Sequence, residues 1–222
     1  MMVPELRQGV VDLCQHLSRR GYFAATGGNL SLRVDAERFL ITPSAVDYLA
    51  MGPADVCLLR LSDLAQLEGE RVPSVERGLH ARVLRGRSDV QCCIHTHQPV
   101  ASALALIGEN VPVEDETFAR RLGRHVPMVG YAPSGTGWLA AKLARALRPD
   151  INAYLLRNHG VVCCGRDMAG AMQAVEDLET LAKRHLRARI ERRLAQAPQL
   201  AEALVDVSDV LADRPIHESR GA

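Results

Sequence analysis

Residues 29–42 read NLSLRVDAERFLIT. The glycine-rich turn ATGG runs into a short strand, NLSLRV. Asp35-Ala36-Glu37 then reverses the chain, and Arg38 to Thr42 returns as a second strand. A parallel crossover takes about a dozen residues or more. Three residues cannot supply one, so these two strands lie antiparallel. Upstream, Leu6, Val10, Leu13 and Leu17 recur at helical spacing, with Gly21 as a natural stop.

Downstream, Val56 to Leu61 reads as a strand. Pro73-Ser74 opens a helix, SVERGLHARVLRGR, with Ser74 expected as its N-cap. Strands follow at Val90–His97, Met128–Tyr131, Ala153–Arg157 and Val161–Cys164. Helices are expected at Val100–Ile107, Glu116–Leu122, Gly137–Leu147 and from Asp167 to about Ala195. Helices and strands alternate, yet several neighbouring strands are joined by turns too short for a crossover. The spacing predicts an α/β sandwich with a mixed, mostly antiparallel sheet, not a doubly wound parallel one. With no internal repeat and no linker, 222 residues suit one domain over 1–222. The tail after about residue 198 turns polar and reads as mobile at its end.

Apolar residues make up 47% and charged ones 24%, a composition that closes a substantial core. A net charge of +1 argues against binding nucleic acid through a broad basic face. No apolar run is long enough to cross a membrane, and the amphipathic, early-acidic N-terminus is unlike a signal peptide. The six cysteines include two adjacent pairs inside apolar runs and lack CxxC spacing. They read as reduced core thiols of a cytoplasmic protein.

The chemistry centres on IHTH, residues 94–97, where a strand ends. Alternation turns His95 and His97 to one face. Two such imidazoles are either metal ligands or histidines of core and surface. His159, just past another apolar strand in RNHG, favours the metal. Three histidines with an open position suit a catalytic zinc site, which polarises a carbonyl and stabilises developing negative charge. Such chemistry needs a proton carrier. Glu76 is the candidate, with His80 four residues on along the same helical face. The alternative is that Glu76 only complements the helix dipole. TGGNLS (26–31), Thr42-Pro43-Ser44 and Ser74 are turns rich in donors, suited to an anion or simply to tight turning.

Taken together, TGGNLSLR, FLITPSAVDYLAM, SVERGLH, SDVQCCIHTHQPVASALA, VGYAPSGT and YLLRNHGVVCCG resemble the class II aldolase/adducin family, over about residues 5 to 190. The resemblance implies a three-layer α/β/α sandwich and a homotetramer with active sites between subunits. It implies Zn2+ on His95, His97 and His159, with other divalent ions such as Mn2+ or Co2+ as alternatives. Glu76 becomes the catalytic acid/base that also ligates the metal when substrate is absent. Thr26, Gly28, Asn29, Ser44 and Ser74 become phosphate-binding positions. The implied reaction is retro-aldol cleavage of a ketose 1-phosphate to dihydroxyacetone phosphate and an aldehyde. The implied substrate is fuculose-phosphate-like, or a 5-deoxy- or 5-methylthio-pentulose phosphate.

The chain departs from the aldolase pattern in places. Val75 stands where a second serine is usual, and Ala45 where glycine is frequent. The tyrosine of the loop after the HTH helix is absent, and Glu116 stands near that place. No tyrosine follows Tyr154, so handling of the proton on the aldehyde oxygen stays unassigned. Glu116 matches the acid/base position of methylthioribulose-phosphate dehydratases, or is a solvated carboxylate in the acidic stretch EDETFARR. A dehydratase and a 3-oxo-tetronate 4-phosphate decarboxylase therefore stay open beside the aldolase. So does a non-catalytic adducin-like module, against which the three histidines speak.

Overall fold

A computed structural model describes residues 2–23 and 27–200, together with Leu204, Val207 and Leu211. Thr26 and most of the tail after 198 lie outside the described residues. The chain opens with α1 (Val3–Arg19), closed by Gly21 at φ 71°. The hairpin of β1 (Asn29–Arg33) and β2 (Arg38–Ile41) forms as the short turn requires, pairing Ser31 with Ile41 and Arg33 with Phe39. Next come β3 (Cys57–Arg60), β4 (Gln66–Glu68), α2 (Arg77–Gly86), β5 (Cys92–Thr96) and α3 (Pro99–Ile107). The small strands β6 (Val111–Pro112) and β7 (His125–Val126) flank α4 (Glu116–Leu122). The chain continues through β8 (Met128–Val129), α5 (Gly137–Ala146), β9 (Ala153–Leu156), β10 (Gly160–Gly165) and α6 (Met168–Gln196).

The main sheet runs β4-β3-β2-β1-β5-β10-β9-β8. Every pairing in it is antiparallel except β8 with β9. The fold is the mixed, mostly antiparallel sandwich that the short turns predict. Strand alternation splits the core in two. Leu30, Leu32, Ile94, Val161 and Cys163 face α1, α3, α4 and α6. Phe39, Ile41, Cys93, Val162 and Cys164 face α2 and α5. Among the described residues, no helix is long and apolar enough to cross a membrane.

One expectation about α2 is corrected. The helix begins at Arg77, with Glu76 at its N-cap position, and Ser74 is not the cap. Ser74 is held extended beside the end of β2: its N–H donates to Thr42 O at 3.0 Å, and Pro43 bridges to Pro73. Its hydroxyl instead receives the Glu76 N–H at 3.2 Å.

Candidate metal centre

Asn29 on β1 pairs with His95 on β5, which pairs in turn with Val162 on β10. All three side chains share the sheet face toward α2 and α5. His97 lies one residue beyond β5, and His159 sits in the turn between β9 and β10, where Asn158 takes φ 55°. Asparagine tolerates that left-handed backbone better than most residues. One nitrogen from each of His95, His97 and His159 falls within 4.8 Å of the others. A tetrahedral ion with Zn–N bonds of 2.0–2.1 Å sets its donors about 3.4 Å apart.

The donor chemistry fits such an ion. His95 Nδ1–H donates to Val161 O at 2.8 Å, so a neutral ring presents a bare lone pair at Nε2. Burial takes His95 down to about 3 against the pull of Glu76, and burial also lowers His97, so both rings are neutral at pH 7. The His95 Nε2 lone pair meets His97 Nε2 at 3.1 Å and Glu76 Oε2 at 3.2 Å. A proton on His97 Nε2 can bridge the two rings, but the His95 lone pair and the Glu76 carboxylate are both acceptors and repel unless a cation lies between them. His159 turns Nε2 toward Glu76 Oε1 at 3.4 Å. Its Nδ1 is buried with no hydrogen-bond partner among the described residues.

Glu76 is 4% exposed and makes no side-chain cap to α2; its carboxylate faces His95 and His159 instead. Oε2 accepts from Asn29 Nδ2 at 2.9 Å, and Oε1 accepts from Ser134 Oγ at 2.8 Å. Burial pushes this carboxyl up. Against it stand the charge His95 takes on at low pH, the hydrogen bond from Asn29, the field of His159 and the hydrogen bond from Ser134, which together bring it down to about 2. The group is an ionised, immobilised carboxylate beside three imidazoles.

The candidate phosphate positions cluster more loosely. Gly28 has φ 85°, and a Cβ there would lie 2.4 Å from the Phe23 ring and 3.0 Å from His95 O, so only glycine fits. Ser44 Oγ donates to Pro73 O and accepts from Val75 N, both at 3.1 Å. Ala45 carries φ 51°, a conformation that explains the frequency of glycine there. Glu116 is not brought to the histidines. It opens α4, is 63% exposed at its side chain, and pairs with Arg124 at 2.5 Å.

One participant escapes sequence reading: Ser134 lies within VGYAPSGT, but nothing local in that turn assigns it to Glu76. Ser31, a candidate donor in TGGNLS, lies two residues along β1 from Asn29, and strand alternation puts both on one face.

Fold and site together define an α/β protein equipped to hold a divalent metal. The chain belongs to the class II aldolase family: residues 8–186 match the Class II Aldolase and Adducin N-terminal domain. It is 31% identical over 182 residues to the 5-methylthioribulose-1-phosphate/5-deoxyribulose-1-phosphate aldolase of Rhodospirillum rubrum, covering 82% of this chain and 80% of that protein. It is 32% identical over 185 residues to the 5-deoxy-D-ribulose 1-phosphate aldolase of Bacillus thuringiensis serovar kurstaki, covering 82% and 85%. A solved L-fuculose 1-phosphate aldolase superposes with a TM-score of 0.78 at 30% identity, covering 83% of this chain and 86% of that one.

Proposed function

We propose that this protein is a zinc-dependent sugar-phosphate aldolase, a lyase that cleaves a ketose 1-phosphate to dihydroxyacetone phosphate and an aldehyde. The observation that carries the reading is the buried, ionised Glu76 set against His95, His97 and His159. The named relatives support a 5-deoxy- or 5-methylthio-pentulose 1-phosphate as substrate, with fuculose 1-phosphate next.

His95, His97 and His159 would hold the zinc, with Glu76 as a further ligand in the absence of substrate. Such an ion would supply polarisation of the substrate carbonyl and stabilisation of the charge that develops beside it. Glu76 takes the proton from C3 of dihydroxyacetone phosphate in synthesis and returns it in cleavage. Asn29 and Ser134 fix its two oxygens so that it swings little as it does so. Gly28, Asn29, Ser44 and Ser74, with Thr26, receive the phosphate. Glu116 enters only through the dehydratase alternative, and its exposure and its pairing with Arg124 weigh against it.

The six free, buried cysteines support a reducing, cytoplasmic setting. Val75, Tyr131 and Trp138, 61%, 55% and 74% exposed, give the apolar surface that a homotetramer would cover.

The test is a mass-spectrometric product assay on the zinc-loaded protein with 5-deoxyribulose, 5-methylthioribulose and fuculose 1-phosphates. Dihydroxyacetone phosphate is the expected product. Glu76→Gln lowers its rate by about 10²–10⁴-fold with the metal retained. Undiminished cleavage by that variant refutes the assigned role of Glu76. Loss of water or carbon dioxide without dihydroxyacetone phosphate transfers the protein to the dehydratase or decarboxylase branch.

A further inference from the structure

His80 on α2 is fully buried and lies one helical turn beyond Glu76. Its Nδ1 sits 2.7 Å from Ser31 Oγ, and its Nε2 sits 2.5 Å from Asn29 Oδ1. The far side of the Asn29 amide, Nδ2, donates to Glu76 Oε2 at 2.9 Å. With Glu76 ionised and the His80 ring neutral, these contacts admit a single assignment of protons. An ionised carboxylate only accepts, so Asn29 must present its NH2 to Glu76. Oδ1 then faces His80 and requires a proton on Nε2. A neutral ring protonated there has a bare Nδ1, which Ser31 Oγ–H fills. Reversing the Asn29 amide would set Oδ1 against the carboxylate, two acceptors within hydrogen-bonding distance.

We infer that Ser31, His80 and Asn29 form a positioning relay, in which Ser31 selects the tautomer of His80, His80 orients the amide of Asn29, and Asn29 aims the carboxylate of Glu76. The relay rests on the reading of Glu76 as proton carrier. Both nitrogens of His80 are used within it, so His80 is neither a metal ligand nor a proton donor to substrate. It is a positioning residue that acts through Asn29. Burial, which takes the His80 imidazole down to about 4 despite the nearby Glu76, keeps the ring neutral at pH 7. The relay also sharpens the role of Asn29. A residue that only gripped phosphate would act on substrate binding, whereas one that aims the base acts on the chemical step.

The zinc-loaded enzyme with 5-deoxyribulose 1-phosphate separates these roles. His80→Leu should lower kcat by about 10–100-fold, the cost of a base misplaced by a fraction of an ångström to an ångström. The loss should fall on kcat more than on KM, which shifts only as far as Asn29 also serves the phosphate, and metal content should stay within about threefold. His80→Gln keeps an N–H for Asn29 Oδ1 and should return kcat to within about fivefold of the parent. Nitrogen-15 NMR of the histidine side chains in metal-free wild-type protein reads the relay without any turnover, and the expected form of His80 is neutral Nε2–H at pH 7. If the wild type cleaves no ketose phosphate, the aldolase reading fails while the tautomer still reports on the hydrogen-bond chain. An Nδ1–H tautomer overturns the relay. So does a folded His80→Leu with full kcat, or a loss confined to KM. Should His80→Leu fail to fold, Ser31→Ala carries the test, and an unchanged kcat there likewise overturns the relay.

Discussion

Gly160 begins β10 directly after His159, where that strand comes closest to the end of β5. A Cβ at this position would lie 2.5 Å from Thr96 O, 2.6 Å from His97 Cδ2 and 3.1 Å from His95 Cε1. Ordinary contact begins near 3.4 Å. Gly160→Ala therefore forces about 0.9 Å of separation from a backbone oxygen, well beyond what a soft contact absorbs. Turning His97 aside relieves one clash but takes a ligand out of the cluster. Moving β10 away from β5 relieves all three but carries His159 off with it. Metal–ligand bonds tolerate about 0.2 Å, so either response weakens the site. The expected loss is about 10–100-fold in metal affinity, typical of groups that set ligand orientation. Overpacking should also remove about 1–3 kcal/mol of stability. Competition between the apoprotein and a calibrated chelator for Co2+ or Zn2+ measures the first, and urea unfolding without metal measures the second. A Gly160→Ala protein with parental metal affinity would refute both the histidine cluster as the metal site and the closeness of its packing.

Three further outcomes follow from the same geometry. The folded-state pKa of His80 is depressed to about 4, so its share of stability is fully present above the unfolded value near 6.5 and is lost as pH falls between the two. From pH 7 to pH 5 this amounts to roughly 2 kcal/mol, and in chelator His80→Gln should show that much less acid sensitivity by urea unfolding. Arg87, 5% exposed, donates to Asp89, to the carbonyls of Arg148 and Ile151 and to Asn152 Oδ1. Arg87→Met should cost about 3 kcal/mol and lower the thermal midpoint by roughly 10 °C, and a shift under 2 °C by calorimetry would contradict this network. Ala45→Gly relieves the strain at φ 51° but loosens the unfolded chain, for a net gain of about 0.5–1 kcal/mol in urea unfolding.

The hairpin and the IHTH strand were legible because strand alternation and a three-residue turn leave few choices. The short helix Glu116–Leu122 was harder to read, its segment lacking a clear apolar period, and it forms with Asp115 capping it by accepting from Thr117 N and Phe118 N. β4 was not legible, because QLE is exposed at all three residues and shows no apolar alternation. β6 and β7 are too short for any periodicity to register. The start of α2 misled for a different reason. Ser74 has the composition of an N-cap, but pairing beside β2 claims its backbone, a long-range contact that overrides local preference. Ser134 illustrates the same limit at the site. Its bond to Glu76 spans 58 residues and exists only because α2 and α5 cover the same face of the sheet.

On the proposed roles, the interlacing that hid Ser74 also ties phosphate binding to proton transfer. Ser44 N donates to Val72 O, Ser74 N donates to Thr42 O, and the Ser44 hydroxyl bridges Pro73 O and Val75 N. A serine hydroxyl has one proton. Ser44 has already given its proton to Pro73, so it can donate to a phosphate only by releasing that carbonyl. Ser74 Oγ, by contrast, accepts from Glu76 N and keeps its proton for a ligand. An anion seated between the two therefore pulls on the segment that ends in Glu76. With Val75 in place of a second serine, this chain has one hydroxyl fewer with which to share that pull. On the proposed reading, the backbone of Glu76, held through Ser74, links the phosphate end of the substrate to the carboxylate among the histidines.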